Sequence, residues 1–177
     1  TTHDGNVSVT IIHPENELLV TEVNASDEDG DALKFQVVGG ADVDLFEINA
    51  TTGILSFNEG PDFEANGSAM NDNNYTVKIE VSDDAHTDSQ TFYVLVDNLD
   101  ENSPEFKDYD PNATVSLSVL ENETFVVDLN ASDDDGGDLI YKLVRGPDIL
   151  GGPDGNTTLF DLNETTGVLS FVLPPDF

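Results

Sequence analysis

The feature that most constrains this chain is that it contains the same pattern twice. The stretch Asn24-Ala-Ser-Asp-Glu-Asp-Gly30 returns as Asn130-Ala-Ser-Asp-Asp-Asp-Gly136, 106 residues further on. Phe46-Glu-Ile-Asn-Ala-Thr-Thr-Gly-Ile-Leu-Ser-Phe57 returns as Phe160-Asp-Leu-Asn-Glu-Thr-Thr-Gly-Val-Leu-Ser-Phe171, and Pro61-Asp-Phe63 as Pro175-Asp-Phe177, both 114 residues on. The change of offset leaves 8 extra residues in the second copy, and the Gly/Pro-rich stretch 146–155 accommodates them as a lengthened surface loop. Self-similarity at a fixed period sets the architecture before any local reading does.

Both copies read as strand. Tyr75, Val77, Ile79 and Val81 alternate with Thr76, Lys78 and Glu80, the period-2 pattern of a half-buried strand. Phe92, Val94 and Val96 continue it. Leu33, Phe35 and Val37 have counterparts in Leu139, Tyr141 and Leu143, and Phe125, Val127, Leu129 and Ala131 alternate in the second copy. Aspartate, asparagine and glycine clusters punctuate the runs, and no segment has helical periodicity. Seven strands are expected in the first copy, at 7–12, 18–25, 32–38, 45–49, 53–57, 74–82 and 90–97. The fold class is all-β: tandem immunoglobulin-like Greek-key β-sandwiches, the second one incomplete. The expected domains are 1–103, a complete repeat, and 104–177, which stops before the equivalents of 74–82 and 90–97. A sandwich without those strands exposes a core face and an open edge. The expectation is therefore that the parent chain continues, or that a neighbouring repeat or subunit complements it with strands.

Composition removes several classes of function. With 37 acidic residues against 5 basic ones the net charge is −32. Such a chain repels phosphate backbones and anionic lipid surfaces, so neither nucleic acid nor direct membrane insertion is expected. It also repels itself when compact, which calls for a counter-charge. There is no cysteine, so disulfides, zinc–thiolate sites and thiol nucleophiles are excluded. No apolar run approaches membrane-span length and no leader pattern opens the chain, so it reads as a segment of a mature extracellular or cell-surface protein. Asn-x-Ser/Thr sequons start at Asn6, Asn24, Asn49, Asn66, Asn74, Asn112, Asn122, Asn130, Asn156 and Asn163. They mean glycosylation where the source has that machinery, and are otherwise compositional.

Most of the carboxylates read as solvated surface, but five clusters sit at strand ends and loops, where side chains can converge on an ion. They are Pro14-Glu15-Asn16 with its counterpart Leu120-Glu121-Asn122; Asp27-x-Asp29 with Asp133-x-Asp135; Pro61-Asp62-Phe63-Glu64; Ser82-Asp83-Asp84; and Asn98-Leu-Asp-Glu-Asn-Ser-Pro104 between the copies. Calcium takes about 6–8 hard oxygen ligands, which carboxylates, amides and carbonyls in loops supply. The EF-hand spacing is absent, since Asp27-Glu-Asp-Gly30 does not complete it.

In order and spacing these motifs resemble the cadherin repeat family over essentially the whole chain. A glutamate in a Pro-Glu-Asn-like turn, Ala-Ser-Asp-x-Asp, Phe-x-[Ile/Leu]-x-x-x-Thr-Gly-x-[Ile/Leu], Asp-x-Glu after the fifth strand and an acidic inter-repeat linker are that family's signature. The linker departs from it: Asn98 stands for the leading aspartate, Asp100 for the first asparagine and Glu101 for the central aspartate. The resemblance implies calcium ions clamped between repeats, held by Glu15, Asp62 and Glu64, by Asp100, Glu101 and the carbonyls of Leu99 and Asn102, and by Asp133 and Asp135. It implies a second, partial metal site at Asp27, Asp29 and Asp83. It also implies a calcium-rigidified structural or adhesive segment of a larger surface protein or fibre, with a homophilic partner among the options.

High acidity and the lack of cysteine lean towards a prokaryotic surface protein or adhesin. No enzyme is expected: His3, His13 and His86 are scattered, and calcium ligation accounts for the paired carboxylates better than glycosidase chemistry does. The alternative is a carbohydrate-binding module. Without tryptophan, Tyr93 and Tyr109 are its only candidate platforms.

Overall fold

A computed structural model describes residues 8–110, 113–144 and 159–176. The expected 146–155 loop, His3, Phe177 and the sequons at Asn6, Asn112 and Asn156 lie outside the described residues. The chain forms two compact units, Thr1–Asp100 and Glu101–Phe177.

Among the described residues the first unit has seven strands: β1 (Ser8–Pro14), β2 (Leu19–Glu22), β3 (Lys34–Gly39), β4 (Phe46–Ile48), β5 (Ile54–Phe57), β6 (Asn74–Ser82) and β7 (Thr87–Asp97). One sheet runs β1-β7-β6-β3, with β1 parallel to β7, and the other runs β2-β5-β4. Period-2 alternation aims Tyr75, Val77 and Ile79 of β6, and Phe92, Val94 and Val96 of β7, at Phe46, Leu55 and Phe57 of the smaller sheet. Phe46 and Phe57 are ladder partners with ring centroids 4.3 Å apart, and Tyr75 meets Phe57 edge-on at 5.2 Å. These side chains are nearly all withdrawn from water, which is the main drive for closing the two sheets.

Strand 74–82 falls where the alternation puts it. The others shift by a few residues at their ends, and a short 3-10 helix, Val43–Leu45, occupies the start of the expected 45–49 strand.

Unit two has β8 (Glu105–Phe106), β9 (Phe125–Asp128), β10 (Ala131–Ser132), β11 (Phe160–Leu162) and β12 (Val168–Phe171), with sheets ordered β11-β12-β9 and β10-β8. Around the Thr-Thr-Gly turn it repeats the bonds of the first unit. Gly53 N–H donates to the Asn49 carbonyl and Gly167 N–H to that of Asn163, both at 2.9 Å. Asn49 and Asn163 each cap the same tight turn, accepting the N–H groups of the two threonines before the glycine. Gly53 and Gly167 have φ of 71° and 75°, and a Cβ there would meet the Val23 and Leu129 carbonyl oxygens at 2.3 and 2.6 Å. Only glycine fits. Phe160 and Phe171 pair and stack as Phe46 and Phe57 do.

Two expectations in the second copy need correction. Leu139, Tyr141 and Leu143 form no strand. Phe35 and Val37, the counterparts of Tyr141 and Leu143, are laddered against β6, and no described strand takes that place here; the segment is held by the Tyr141 N–H donating to the Glu164 carbonyl. Phe125 also does not alternate with Val127. The β9–β12 register slips between Leu169 and Ser170, so Val126 is the extra residue and Phe125 turns to the exposed side. The β2–β5 pair slips at the matching place, next to Val20, and Leu19 is exposed in the same way.

Candidate metal site

At the end of β1 the chain turns through Asn16, whose φ is 64°. The Asn16 N–H donates to the Pro61 carbonyl and the Glu15 N–H to that of Asp97. Gly60 packs against the turn, where a Cβ would come within 3.0 Å of the Asn16 backbone. The turn buries Glu15 completely. One of its carboxylate oxygens accepts the Leu99 N–H at 2.7 Å and the other accepts the Phe63 N–H at 2.8 Å. A buried carboxylate is tolerable only with such charge-assisted partners. The Phe63 bond fixes the 61–64 loop, and with it Asp62 and Glu64 on either side. Exposed Asp62 accepts the Ala65 N–H, and Glu64 is half-buried.

Glu15, Asp62 and Glu64 each offer an oxygen, and these oxygens lie within 4.8 Å of one another. Ligand oxygens on opposite sides of a calcium ion stand about 4.6–5.2 Å apart. An all-carboxylate set of hard donors at this spacing fits calcium. The neighbouring Leu99 is bound to the same cluster through its N–H, while Asp100 is exposed and outside it.

In the second unit Asp135 holds the first residues of that unit. Its Oδ2 accepts the N–H groups of Glu101 and Asn102, and its Oδ1 accepts the Asn102 side-chain amide at 2.9 Å. Partial burial works against ionisation of Asp135, but the Asn102 and Glu101 donors outweigh it and lower its pKa. Asp133 accepts the Asp135 N–H, just as Asp27 accepts that of Asp29.

Asp27 and Asp29 share one local turn, and Asp83 is held in another. The Asp83 carboxylate accepts the N–H groups of His86 and Ala85 and contacts the His86 ring, and these bonds bring its pKa down to about 2. Among the described residues no three-carboxylate cluster includes them.

Sequence reasoning missed Asp42. It is buried, and its two oxygens accept the N–H groups of Ala69 and Thr76 at 2.6 and 2.7 Å. Burial, then the Asp42 charge, raises the pKa of the Tyr75 phenol. A lone aspartate among so many carries no spacing signal that would have marked it. His13 is buried too, packed on Phe57 and bonded to the Glu17 carbonyl, with no role in the cluster.

The fold compares closely with solved structures. Mouse cadherin-23 EC22-24 superposes with a TM-score of 0.72 at 18% identity, covering 99% of this chain and 54% of that one. Human protocadherin-24 EC1-2 (Form II) gives 0.69 at 22%, covering 95% and 75%. This is the cadherin-repeat fold. In sequence the chain is 30% identical to neural-cadherin of Drosophila melanogaster over 162 residues, 86% of this chain and 5% of that protein. It is 28% identical to cadherin-4 of Caenorhabditis elegans over 164 residues, 89% and 3%. No protein-family model matches the chain. These relatives are animal proteins, and the prokaryotic origin expected from composition finds no support among them. The carbohydrate-binding alternative is not favoured by any of these likenesses. Among the described residues no helix is long and apolar enough to cross a membrane.

Proposed function

We propose that the chain is a non-enzymatic, calcium-binding extracellular segment of a larger adhesive surface protein. The observation that carries this reading is the Glu15–Asp62–Glu64 cluster, three carboxylates held within bonding distance of one small volume by Glu15's own hydrogen bonds. The adhesive role rests on the cadherins it resembles, of whose length the chain spans 5% or less in the two relatives above. Calcium would supply the positive charge that lets these groups stay ionised and close together. Glu15 shapes the site, and Asp62 and Glu64 complete it from the loop.

The cadherin resemblance adds Leu99, Asp100, Glu101, Asn102, Asp133 and Asp135 to shared ions, and Asp27, Asp29 and Asp83 to a partial outer site. Ions shared in that way bind best when the repeats are aligned, which is how calcium would stiffen the segment. Homophilic contacts are the partner class this reading favours.

Two further strands would complete the second unit, from the parent chain or a neighbouring subunit. Support comes from Phe160, Leu169 and Phe171, half-buried where Phe46, Leu55 and Phe57 are buried, and from an open apolar pocket of about 170 Å³ lined by Phe106, Leu129, Tyr141 and Leu162. The reading is tested by thermal unfolding in millimolar calcium and in chelator. Melting should rise with calcium concentration as native-state binding requires. Identical curves would end it.

A further inference from the structure

Ten of the sixteen asparagines stand in Asn-x-Ser/Thr sequons, whereas 26 serines and threonines among 177 residues give about two by composition alone. Duplication accounts only for the pairs Asn6/Asn112, Asn24/Asn130 and Asn49/Asn163. Among these sites Asn74 occupies a distinctive place in the fold.

Asn74 opens β6, and its ladder partner on β7 is Leu95, which in turn pairs with Ile12 on β1. The next outward row is Thr76, Tyr93 and Thr10. Tyr75, Val94 and Ile11 between them point to the core, so both rows face outwards. Ile12, Leu95 and Tyr93 are 71%, 42% and 37% exposed. In a chain with 37 acidic residues these two rows carry no charge at all. An apolar strip on an open sheet face is costly in water unless something covers it.

We propose that Asn74 carries an N-linked glycan that lies across this face and covers Leu95, Tyr93 and Ile12. Ile12 stands two strand spacings from Asn74, roughly 10 Å, the span of a disaccharide. The C–H faces of sugar rings pack on aliphatic and aromatic side chains as other apolar groups do. Asn74 and Thr76, the two specified sequon positions, share the exposed face. Among the described residues no hydrogen bond engages the Asn74 side-chain amide, whereas those of Asn24 and Asn66 donate to the carbonyls of Glu22 and Glu64.

The donor is a lipid pyrophosphate-linked oligosaccharide. Asn74 Nδ2 forms a bond to the anomeric carbon, the carbon–oxygen bond to the pyrophosphate breaks, the lipid pyrophosphate leaves, and the amide gives up one proton to a base of the transferase. No oxidation or reduction occurs. The inference needs the secretory route but is independent of calcium.

The test secretes the whole chain from cultured insect cells. Glycopeptide mass spectrometry should find Asn74 occupied, and nuclear Overhauser contacts should join the glycan to the methyl groups of Leu95 and Ile12. N74Q and T76A both delete the sequon and should raise binding of a hydrophobic dye several-fold. T76S keeps the sequon and should behave as the unaltered chain. Bare Asn74 beside glycosylated Asn24 would overturn the proposal. So would an occupied Asn74 without contacts to Leu95 or Ile12, or a dye response to N74Q that T76A does not share.

Discussion

The carboxylate of Glu15 accepts the Leu99 N–H at 2.7 Å, tying the turn after β1 to the residue that follows β7 across 84 positions of sequence. Its second oxygen does the same for Phe63. One buried side chain therefore fixes both the exit of the first unit and the loop that presents Asp62 and Glu64.

Glu15→Ala should destabilise the first unit even without metal. Two backbone amides lose charge-assisted acceptors, a cost of about 3 kcal/mol or more. Urea unfolding in chelator, followed through the tyrosines, measures it. A change below about 0.5 kcal/mol would mean that the two bonds do not order the turn.

Gly53→Ala and Gly167→Ala should each cost about 2 kcal/mol, because alanine must enter the left-handed region and press on a carbonyl. The duplicated turn predicts like effects in both units. Hydrogen exchange at Val23 and Leu129, whose N–H groups donate to the two glycine carbonyls, localises the damage.

Asp83 yields a pH prediction. Its folded pKa of about 2 lies below the ordinary value of 3.8, so its ionised form is stabilised by folding. That contribution is fully present above about pH 4 and is lost as pH falls through the folded value near 2. Amide shifts of Ala85 and His86 in an acid titration should move together with a midpoint near 2. A midpoint near 3.8 would contradict the hydrogen bonds given to this turn.

Stiffening by shared ions predicts that calcium lengthens the chain's maximum dimension in small-angle scattering. Asp133→Ala should abolish the change. Glu22→Ala, on β2 and outside every acidic cluster, should leave it intact. Equal behaviour of the two variants would restrict calcium to a local stabilising role.

Much of this was legible in residue patterns, for definable reasons. The offset of 114 makes Gly53 and Gly167 counterparts, and their matching bonds follow because the same Thr-Thr-Gly turn takes positive φ in both copies. Glu15, Asp62 and Glu64 were implied by the resemblance to the cadherin motifs, and the fold brings an oxygen of each within 4.8 Å of the others. Leu139, Tyr141 and Leu143 misled because alternation reports a residue's preference for a sheet, whereas a strand also needs a partner ladder. The slip beside Val126 left no trace in hydrophobicity, since Phe125, Val126 and Val127 are all apolar. Asp42 was invisible because its role depends on amides of Ala69 and Thr76, distant in sequence.

The central claim is calcium binding at the Glu15–Asp62–Glu64 cluster, and calorimetric titration of the chain with Asp62→Asn beside it tests that most directly. Asp62 is exposed and the amide keeps an oxygen for the Ala65 N–H, so folding should be unaffected. The account predicts saturable calcium binding, magnesium at least about tenfold weaker because it resists dehydration, and at least about tenfold weaker calcium binding in the variant. No saturable heat, or equal calcium and magnesium affinities unchanged by Asp62→Asn, would contradict it.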